Sequence, residues 1–177
     1  MKNLQCDSCK KFKLNKDYTP LPIYEGDEIY PNGIFNFSIS RIMEDIESGK
    51  LIPRFEKINI QAWFKFRSHG SINEEHLPTV DITKPIIQAQ IRPDTYEVID
   101  GNHRLEKAFR DGLEYIDSYK LCAEQLLPYF KEVRGYKAYV EYWNQKIKDI
   151  DHDAKRYAKM LEKQTSVLEV KSDGKHK

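Results

Sequence analysis

The sequence predicts an α+β fold, in which a small mixed sheet with helices is followed by a long C-terminal helix. Strand and helix candidates alternate between residues 34 and 131, which is typical of a domain that mixes the two kinds of element. Gly101 separates an apolar strand candidate from a helix candidate. After residue 132, apolar residues recur every three or four positions, as they do in a long amphipathic helix. With 177 residues, the chain is long enough for one domain with a substantial core and additional segments.

The first third of the chain gives the weakest signals. Residues 1–33 are rich in Lys, Asp, Pro and Tyr and show little periodicity, so we expect an extended arm or a small N-terminal module. A short helix is predicted from Ser40, which can cap it, to Gly49, which fits a helix end. Residues 55–66 predict a strand, because apolar residues alternate in its first half.

Residues 34–131 are expected to form the main domain, and its second half has the most regular pattern. An Arg-Pro-Asp-Thr sequence has good turn chemistry and predicts a hairpin. Gly112 fits the position after a helix end, and Pro128 is expected to distort or end the last helix. The predicted elements are strands at 86–91 and 96–100, a helix at 103–111, a strand at 116–121 and a helix at 123–131.

The clearest helix prediction covers residues 136–163, within a C-terminal segment at 132–163. We expect its apolar stripe to pack against the chain's own domain, and a homodimer formed through the 136–163 helix is the alternative. Residues 164–177 predict a flexible, solvated tail. The stripe consists of Val140, Trp143, Ile147, Ile150, Ala154, Tyr157 and Leu161.

The stretch Asp100-Gly101-Asn102-His103-Arg104 predicts a place to hold an anion. The first amides of a helix have no intrahelical acceptor, and the helix dipole adds partial positive charge there, so a phosphate can bind to them. Gly101 has no Cβ and allows close approach of the backbone. Arg104 can bind phosphate oxygens in bidentate fashion, and His103 can donate further hydrogen bonds.

At these residues the chain resembles the ParB/sulfiredoxin superfamily. The corresponding turn reads Gly-Glu-Arg-Arg in ParB-type nucleotide-binding domains and Gly-Cys-His-Arg in sulfiredoxins, against Gly-Asn-His-Arg here. Residues 84–87 resemble the family's Pro-Ile-hydrophobic strand, residues 96–100 the strand before the motif, and residues 116–121 the next strand. The strand–turn–helix–strand context makes the resemblance more specific than the four residues alone.

The resemblance implies a ParB/sulfiredoxin-like sheet and a nucleotide or other phosphate site at Gly101, Asn102, His103 and Arg104. A nucleoside triphosphate, ATP or CTP, with Mg²⁺ is the expected cofactor, and NTP hydrolysis or kinase-like phosphoryl transfer is one expectation. Relatives in the superfamily include CTP-dependent partition proteins, ATP-using sulfiredoxins and a free serine kinase, so the reaction does not follow from the fold. Because Asn102 stands where sulfiredoxins have their catalytic cysteine, the chain is not expected to be a sulfiredoxin.

Asp100 is the candidate catalytic residue and the candidate Mg²⁺ ligand. A carboxylate beside a phosphate can bind the ion or accept a proton from an attacking hydroxyl. Glu106, on the predicted helix, is a poorer candidate. The alternative is structural: Asp100 or Asn102 would cap the helix, and His103 and Arg104 would be surface residues.

Two other classes of function stay open from the sequence. The first is a DNA-associated factor of a bacterial plasmid, phage or mobile element, since ParB relatives carry a helix-turn-helix domain after the nucleotide domain. No second recognition helix is evident after Leu121, and a net charge of +1 argues against a strongly basic, sequence-independent DNA binder. The second is an interaction module that has lost any catalytic activity.

Cys6 and Cys9 have the C-x-x-C spacing of half a zinc site. No second pair of this kind follows, so we prefer the interpretation that they are two surface thiols. Cys122 is alone, and completion of a site would depend on His69 or His76. These two histidines lie in a polar loop, and such loop histidines are typically solvated.

The sequence gives no sign of a membrane segment. No apolar run approaches the roughly 20 residues needed to span a bilayer. The first residues also lack the apolar stretch of a signal peptide. We therefore expect a cytoplasmic location and no membrane partner.

Overall fold

The computed structural model describes residues 10–93 and 95–173, and the side chains of these residues up to position 160. Within those limits the chain has a four-stranded sheet, a two-stranded sheet and several helices, so the predicted α+β class is confirmed. Cys6 and Cys9, and with them the candidate half zinc site, lie outside the described residues.

The four-stranded sheet is built around the predicted hairpin. Strands β4 (Ile86–Arg92) and β5 (Thr95–Asp100) pair antiparallel. Strand β6 (Tyr115–Leu121) pairs parallel with β4, and β3 (Arg54–Asn59) pairs antiparallel with β6. The strand order is β3-β6-β4-β5, so β5, which leads into Gly101, lies at one edge of this sheet.

The remaining elements are a two-stranded sheet and the helices. Strands β1 (Ile29–Tyr30) and β2 (Phe37–Ser38) pair antiparallel in the two-stranded sheet. No helix in the described part of the chain is both long and apolar enough to cross a membrane. The α-helices are α1 (Ile39–Glu47), α2 (Ile60–Phe64), α3 (Asn102–Arg110), α4 (Ala123–Leu126) and α5 (Val133–Asp173), with 3₁₀ turns at Leu77–Thr79 and Leu127–Tyr129.

The four-stranded sheet packs against helices on both faces, and each face has its own hydrophobic cluster. The larger cluster joins α1, α4 and α5 to one face, where β4 contributes Ile87, Ala89 and Ile91. The smaller cluster lies between the other face and helices α2 and α3, where β4 contributes Ile86. Because successive side chains of a strand point to opposite faces, β4 supplies both clusters. Leu105 anchors α3 in the smaller cluster.

The predicted strand over 55–66 is wrong in its second half. Strand β3 ends at Asn59, and helix α2 begins with the next residue. The side-chain oxygen of Asn59 accepts a hydrogen bond from the Ala62 amide at 2.8 Å, which is the bond of a helix N-cap. Ile60 is fully buried at the start of this helix, so an apolar position that fits an alternating strand is used by a helix instead.

The predicted cap of the first helix is also wrong. Helix α1 is capped by Ser38, whose hydroxyl oxygen accepts a hydrogen bond from the Arg41 amide. The Ser40 hydroxyl instead accepts a hydrogen bond from the Glu28 amide at 2.8 Å. The Glu28 carbonyl in turn accepts from the Ile39 amide, so the chain before β1 is fixed to the start of α1.

Pro128 acts as predicted at the end of a short helix. Helix α4 ends at Leu126, and a 3₁₀ turn with the proline in its first positions follows. Proline has no amide hydrogen and cannot continue the helical hydrogen-bond pattern. Helix α5 then runs from Val133 to Asp173, so it starts before the predicted helix and continues past its predicted end.

The apolar stripe of α5 divides into two parts. Val140, Trp143 and Ile147 are each at most 4% exposed and belong to the larger cluster, as packing against the chain's own domain requires. Ile150 and Tyr157, further along the same stripe, are 42% and 64% exposed. The helix therefore packs on the domain through its first part, while the homodimer stays a prediction.

Residues 10–21 pack against α5. The Phe12 ring stacks on Trp143 with centroids 5.0 Å apart, and the Phe12 amide donates to Asn144 at 2.8 Å. The Asn15 amide donates to the Tyr136 hydroxyl, also at 2.8 Å. This part of the predicted N-terminal arm is thus held along the first part of α5.

Candidate functional site

The turn between β5 and α3 has the backbone conformation that its glycine allows. Gly101 is the N-cap residue with φ of +90°, and no side-chain hydrogen bond caps the helix in the described part of the chain. A Cβ at this position would lie 2.7 Å from the Ile86 side chain and 2.8 Å from Nη2 of Arg104. A left-handed conformation and this crowding both exclude a side chain, so glycine is required here.

Arg104 is folded back across the turn. Its Nη2 donates to the Asp100 carboxylate at 2.5 Å and to the Pro85 carbonyl at 3.3 Å. Its Nε is buried and has no hydrogen-bond partner among the described residues. The predicted alternative, in which Asp100 or Asn102 caps α3, is not what the structure has, because the Asp100 carboxylate binds Arg104 and α3 has no side-chain cap.

These residues line a cavity of about 680 Å³. Asp100, Gly101, Asn102, His103 and Arg104 together form one wall. Other walls come from two segments distant in sequence, residues 28–31 at strand β1 and three residues between positions 71 and 80. The sequence predicted these five residues as a candidate site, and all five line this cavity.

His103 fixes the polar loop to the start of α3. Its Nε2 accepts a hydrogen bond from the Asn73 amide at 3.0 Å, so Nε2 carries no proton in this arrangement. The ring packs edge-on against His76 at 5.2 Å, and Nδ1 of His76 lies 3.1 Å from the Thr79 hydroxyl. His76 is therefore held at the cavity wall and is not simply solvated.

Glu28 is a cavity residue that the sequence pattern does not predict. It lines the cavity, where partial burial and the nearby Asp100 carboxylate raise the pKa of Glu28, against the opposing effect of Arg104. The hydrogen bond to Ser40 fixes its backbone. No local motif marks this residue, because its partners across the cavity lie about seventy positions further along the chain.

A second cluster of charged groups lies further along α3 and corrects the expectation that His69 is solvated. Glu106 is only 4% exposed, and its two oxygens accept hydrogen bonds from His69 at 2.5 Å and from Arg110 at 2.7 Å. His69 also stacks on Phe64, with ring centroids 4.1 Å apart. His69 is thus bound rather than solvated, and Glu106 does not line the cavity.

Burial alone would raise the pKa of Glu106. The hydrogen bonds from His69 and Arg110 outweigh this effect, so the pKa of Glu106 lies below its ordinary value. Arg110 is itself held by both oxygens of Glu74, at 2.7 and 2.8 Å. Every charged group in this cluster has a partner of opposite charge or a hydrogen bond, which is the arrangement of a structural network.

The described residues hold no group of three or more His, Cys, Asp and Glu side chains that could bind a metal ion. Asp100, the candidate Mg²⁺ ligand, is ion-paired with Arg104, and Glu28 is the other carboxylate at the cavity. Cys122 is buried as the N-cap of α4, and neither His69 nor His76 lines a site with it.

In comparisons with known proteins, the chain matches no family model, no curated protein and no solved structure. The resemblance to the ParB/sulfiredoxin superfamily therefore stays a prediction that rests on the residues around Gly101.

Proposed function

We propose that the chain is a ParB/sulfiredoxin-like protein that binds a nucleotide or another phosphorylated compound through Gly101, Asn102, His103 and Arg104. The observation that carries this proposal is the shared position of the α3 N-terminus and the Arg104 guanidinium at one cavity of about 680 Å³. Small-molecule sites in proteins have volumes of this size, roughly 300 to 1,000 Å³.

The chemistry of this wall suits a phosphate group. The amides at the start of α3 have no intrahelical acceptors, and no side chain caps them in the described residues. An anion bound there also gains from the partial positive charge of the helix end. The Arg104 guanidinium is already anchored through Nη2, so little side-chain freedom is lost when its other nitrogens bind an oxygen.

Two carboxylates support a role for Mg²⁺ in phosphoryl transfer or NTP hydrolysis. Proteins bind Mg²⁺ through one or two carboxylates together with substrate phosphates, and Asp100 and Glu28 would supply them here. The ion would neutralise charge on the phosphates. Of the two carboxylates, Glu28 is better suited to accept a proton, because its pKa is raised whereas Asp100 is bound to Arg104.

Calorimetric titration with inorganic phosphate, ATP and CTP, each with and without Mg²⁺, tests the proposal. We expect binding that falls by roughly tenfold or more in Arg104→Ala, because a charge-assisted contact is lost. Arg54→Ala is the matched control. The Arg54 side chain is 79% exposed and lines neither wall of the cavity, so this variant should bind as the wild type does.

Arg104→Ala also removes the partner of Asp100, so its folding is checked by circular dichroism and by its melting temperature. Arg104→Lys keeps the positive charge and should bind more weakly than wild type but more tightly than Arg104→Ala. Unchanged affinity in a folded Arg104→Ala protein would contradict the proposal. Nucleotide binding without any product over hours would identify a non-catalytic binding module.

A further inference from the structure

Helix α5 continues beyond the domain on which its first part packs. Ile147 is 4% exposed and belongs to the larger cluster. From position 148 to position 160, here called the distal segment, every residue is exposed, although the backbone stays helical to Asp173. Helical stability in proteins comes mostly from packing of an amphipathic face, and isolated helices are marginal in water. As far as the chain is described, the domain gives the distal segment no such packing.

The distal segment carries the apolar face that packing needs. Ile150 and Tyr157 are 42% and 64% exposed, and Met160 beside them is 54% exposed. In the sequence, alternating steps of four and three residues lead from Ile150 through Ala154 and Tyr157 to Leu161. This spacing is the seam of a coiled coil, in which a second helix covers the apolar residues.

The charges on one flank of this seam identify the second helix. Asp149, Asp153 and Arg156 are spaced by four and three residues, so they lie on one side of the helix, with the acidic turn before the basic residue. Nη2 of Arg156 lies 3.7 Å from the Asp153 carboxylate, which is longer than a hydrogen bond, and their side chains are 71% and 67% exposed. Both charges are therefore accessible to a partner.

We propose that the distal segment pairs antiparallel with the distal segment of a second copy of this chain. An antiparallel pair brings the same flank of both helices together, so Asp153 of each copy lies beside Arg156 of the other. The surface is thus self-complementary, as a two-fold symmetric interface requires. In this register the small Ala154 lies against the large Tyr157 of the second copy.

Packing on the chain's own domain and pairing with a second copy are then not alternatives. The domain covers the first part of the apolar stripe, through Ile147, and the second copy covers the part that begins at Ile150. This inference is independent of the proposed phosphate site, because the distal segment lines neither wall of that cavity.

The test is the mass of the full chain in solution, measured by analytical ultracentrifugation over a wide range of concentrations. We expect a reversible equilibrium between monomer and dimer. Ile150→Lys should raise the dissociation constant roughly tenfold or more, because it places a charge in the apolar centre of the interface. Ile52→Lys is the matched control, since Ile52 is also an exposed isoleucine, at 52%, and lies outside α5.

A charge exchange tests the pairing of the flanks. Asp153→Arg alone places like charges beside each other in both symmetric contacts, so it should weaken the dimer several-fold, and less at high salt. The double variant Asp153→Arg with Arg156→Asp restores opposite charges and should recover the wild-type dissociation constant. Circular dichroism checks that all variants keep the same helix content.

Cysteine crosslinking tests the direction of the two helices. Cys6→Ser and Cys9→Ser remove two native thiols, and Cys122 is buried. In this background, a mixture of Ala154→Cys and Tyr157→Cys chains should form a disulfide faster than either variant does alone. In a parallel pair each variant would instead crosslink fastest with itself.

Three results would overturn the proposal. The first is a wild-type chain that sediments as a monomer at every concentration. The second is a dimer whose dissociation constant is the same in Ile150→Lys, which would place the interface elsewhere. The third is faster crosslinking of each cysteine variant with itself, which would exclude the antiparallel direction.

Discussion

Helix α3 carries an Arg–carboxylate pair near each end, and the two pairs are built differently. Near the N-terminus, Arg104 binds one oxygen of Asp100, and its buried Nε has no partner among the described residues. Near the C-terminus, both oxygens of the buried Glu106 are bonded, and its partner Arg110 is held in turn by Glu74. One pair lines a cavity, and the other does not; there Glu106 also binds His69, whose ring packs against Phe64 and Phe109.

The difference distinguishes the candidate site from the bonded cluster at the other end of the same helix. Buried polar groups in folded proteins are nearly always hydrogen-bonded, and the Glu106 cluster follows this rule. The Arg104 pair lies at a cavity, and the amides at the start of α3 beside it have no side-chain cap among the described residues. The same short helix can therefore be held rigidly at one end and present unsatisfied groups at the other, which a preorganised binding site requires.

The largest effect is expected from Gly101→Ala. A side chain there meets a positive φ and close contacts with Ile86 and Arg104, so we expect the free energy of unfolding to fall by about 3 kcal/mol. Gly112→Ala is the matched control, because Gly112 has φ of +74° but a Cβ added there would meet no atom within 4 Å. It should cost only about 1 kcal/mol. Urea unfolding of both variants measures the difference, and equal losses would contradict the crowding at Gly101.

Glu106→Gln is expected to have the next largest effect on stability. The amide keeps the size of the side chain but loses the charge that His69 and Arg110 bind, and Glu106 is only 4% exposed. Loss of hydrogen bonds to a buried charged group should lower the free energy of unfolding by about 2 kcal/mol. Phosphate or nucleotide affinity, measured at a temperature where the variant is folded, should not change. A large loss of affinity would show that this cluster belongs to the site.

The same residue predicts a difference in acid stability. The folded-state pKa of Glu106 lies below its ordinary value of 4.5, so the unfolded chain binds a proton more readily than the folded one. The stabilisation is fully present above that value and is lost as the pH falls through the folded pKa. Urea unfolding between pH 7 and pH 3 should therefore show a steeper loss in wild type than in Glu106→Gln. Parallel curves would contradict the lowered pKa.

The smallest effect on stability is expected from Asp100→Asn, and its main effect falls on binding. Without the carboxylate, Arg104 has no ion-pair partner among the described residues, so inorganic phosphate should bind about threefold to tenfold more tightly when Mg²⁺ is absent. Any Mg²⁺-dependent turnover should be lost, because one of the two cavity carboxylates is gone. Calorimetry and a product assay measure the two effects separately. Weaker phosphate binding without Mg²⁺ would contradict the proposed role of Arg104.

The sequence predicted the parts of the fold whose signals are local. The hairpin of β4 and β5, the turn at Gly101 and helix α3 follow one another within 25 residues, and each has its own strand, turn or helix signal. The error at β3 and α2 arose because apolar residues at Ile58 and Ile60 fit an alternating strand equally well. The hydrogen bond that the Ala62 amide donates to the Asn59 side-chain oxygen favours the helix, and an alternating apolar pattern carries no information about such a bond.

Only one side of the candidate site was predicted, because only that side consists of residues that are neighbours in the sequence. Asp100 to Arg104 are contiguous, and their pattern is visible in the sequence. Glu28 and the loop at residues 71–80 reach the cavity through pairing of β1 with β2 and through the Asn73–His103 hydrogen bond. Likewise, His69 and Glu106 meet across 37 positions. Contacts between residues so far apart in the sequence form only in the completed fold, and no periodic pattern in the sequence predicts them.

The cavity joins two halves of the molecule that are packed separately. Tyr30, on one wall, packs against the cluster that contains α5, whereas α3, on the other wall, is anchored by Leu105 in the cluster beneath it. A ligand that contacts both walls would link elements that pack on opposite faces of the sheet. Occupancy should then slow amide hydrogen exchange in β1 as well as at the start of α3, although these elements are about seventy residues apart in the chain.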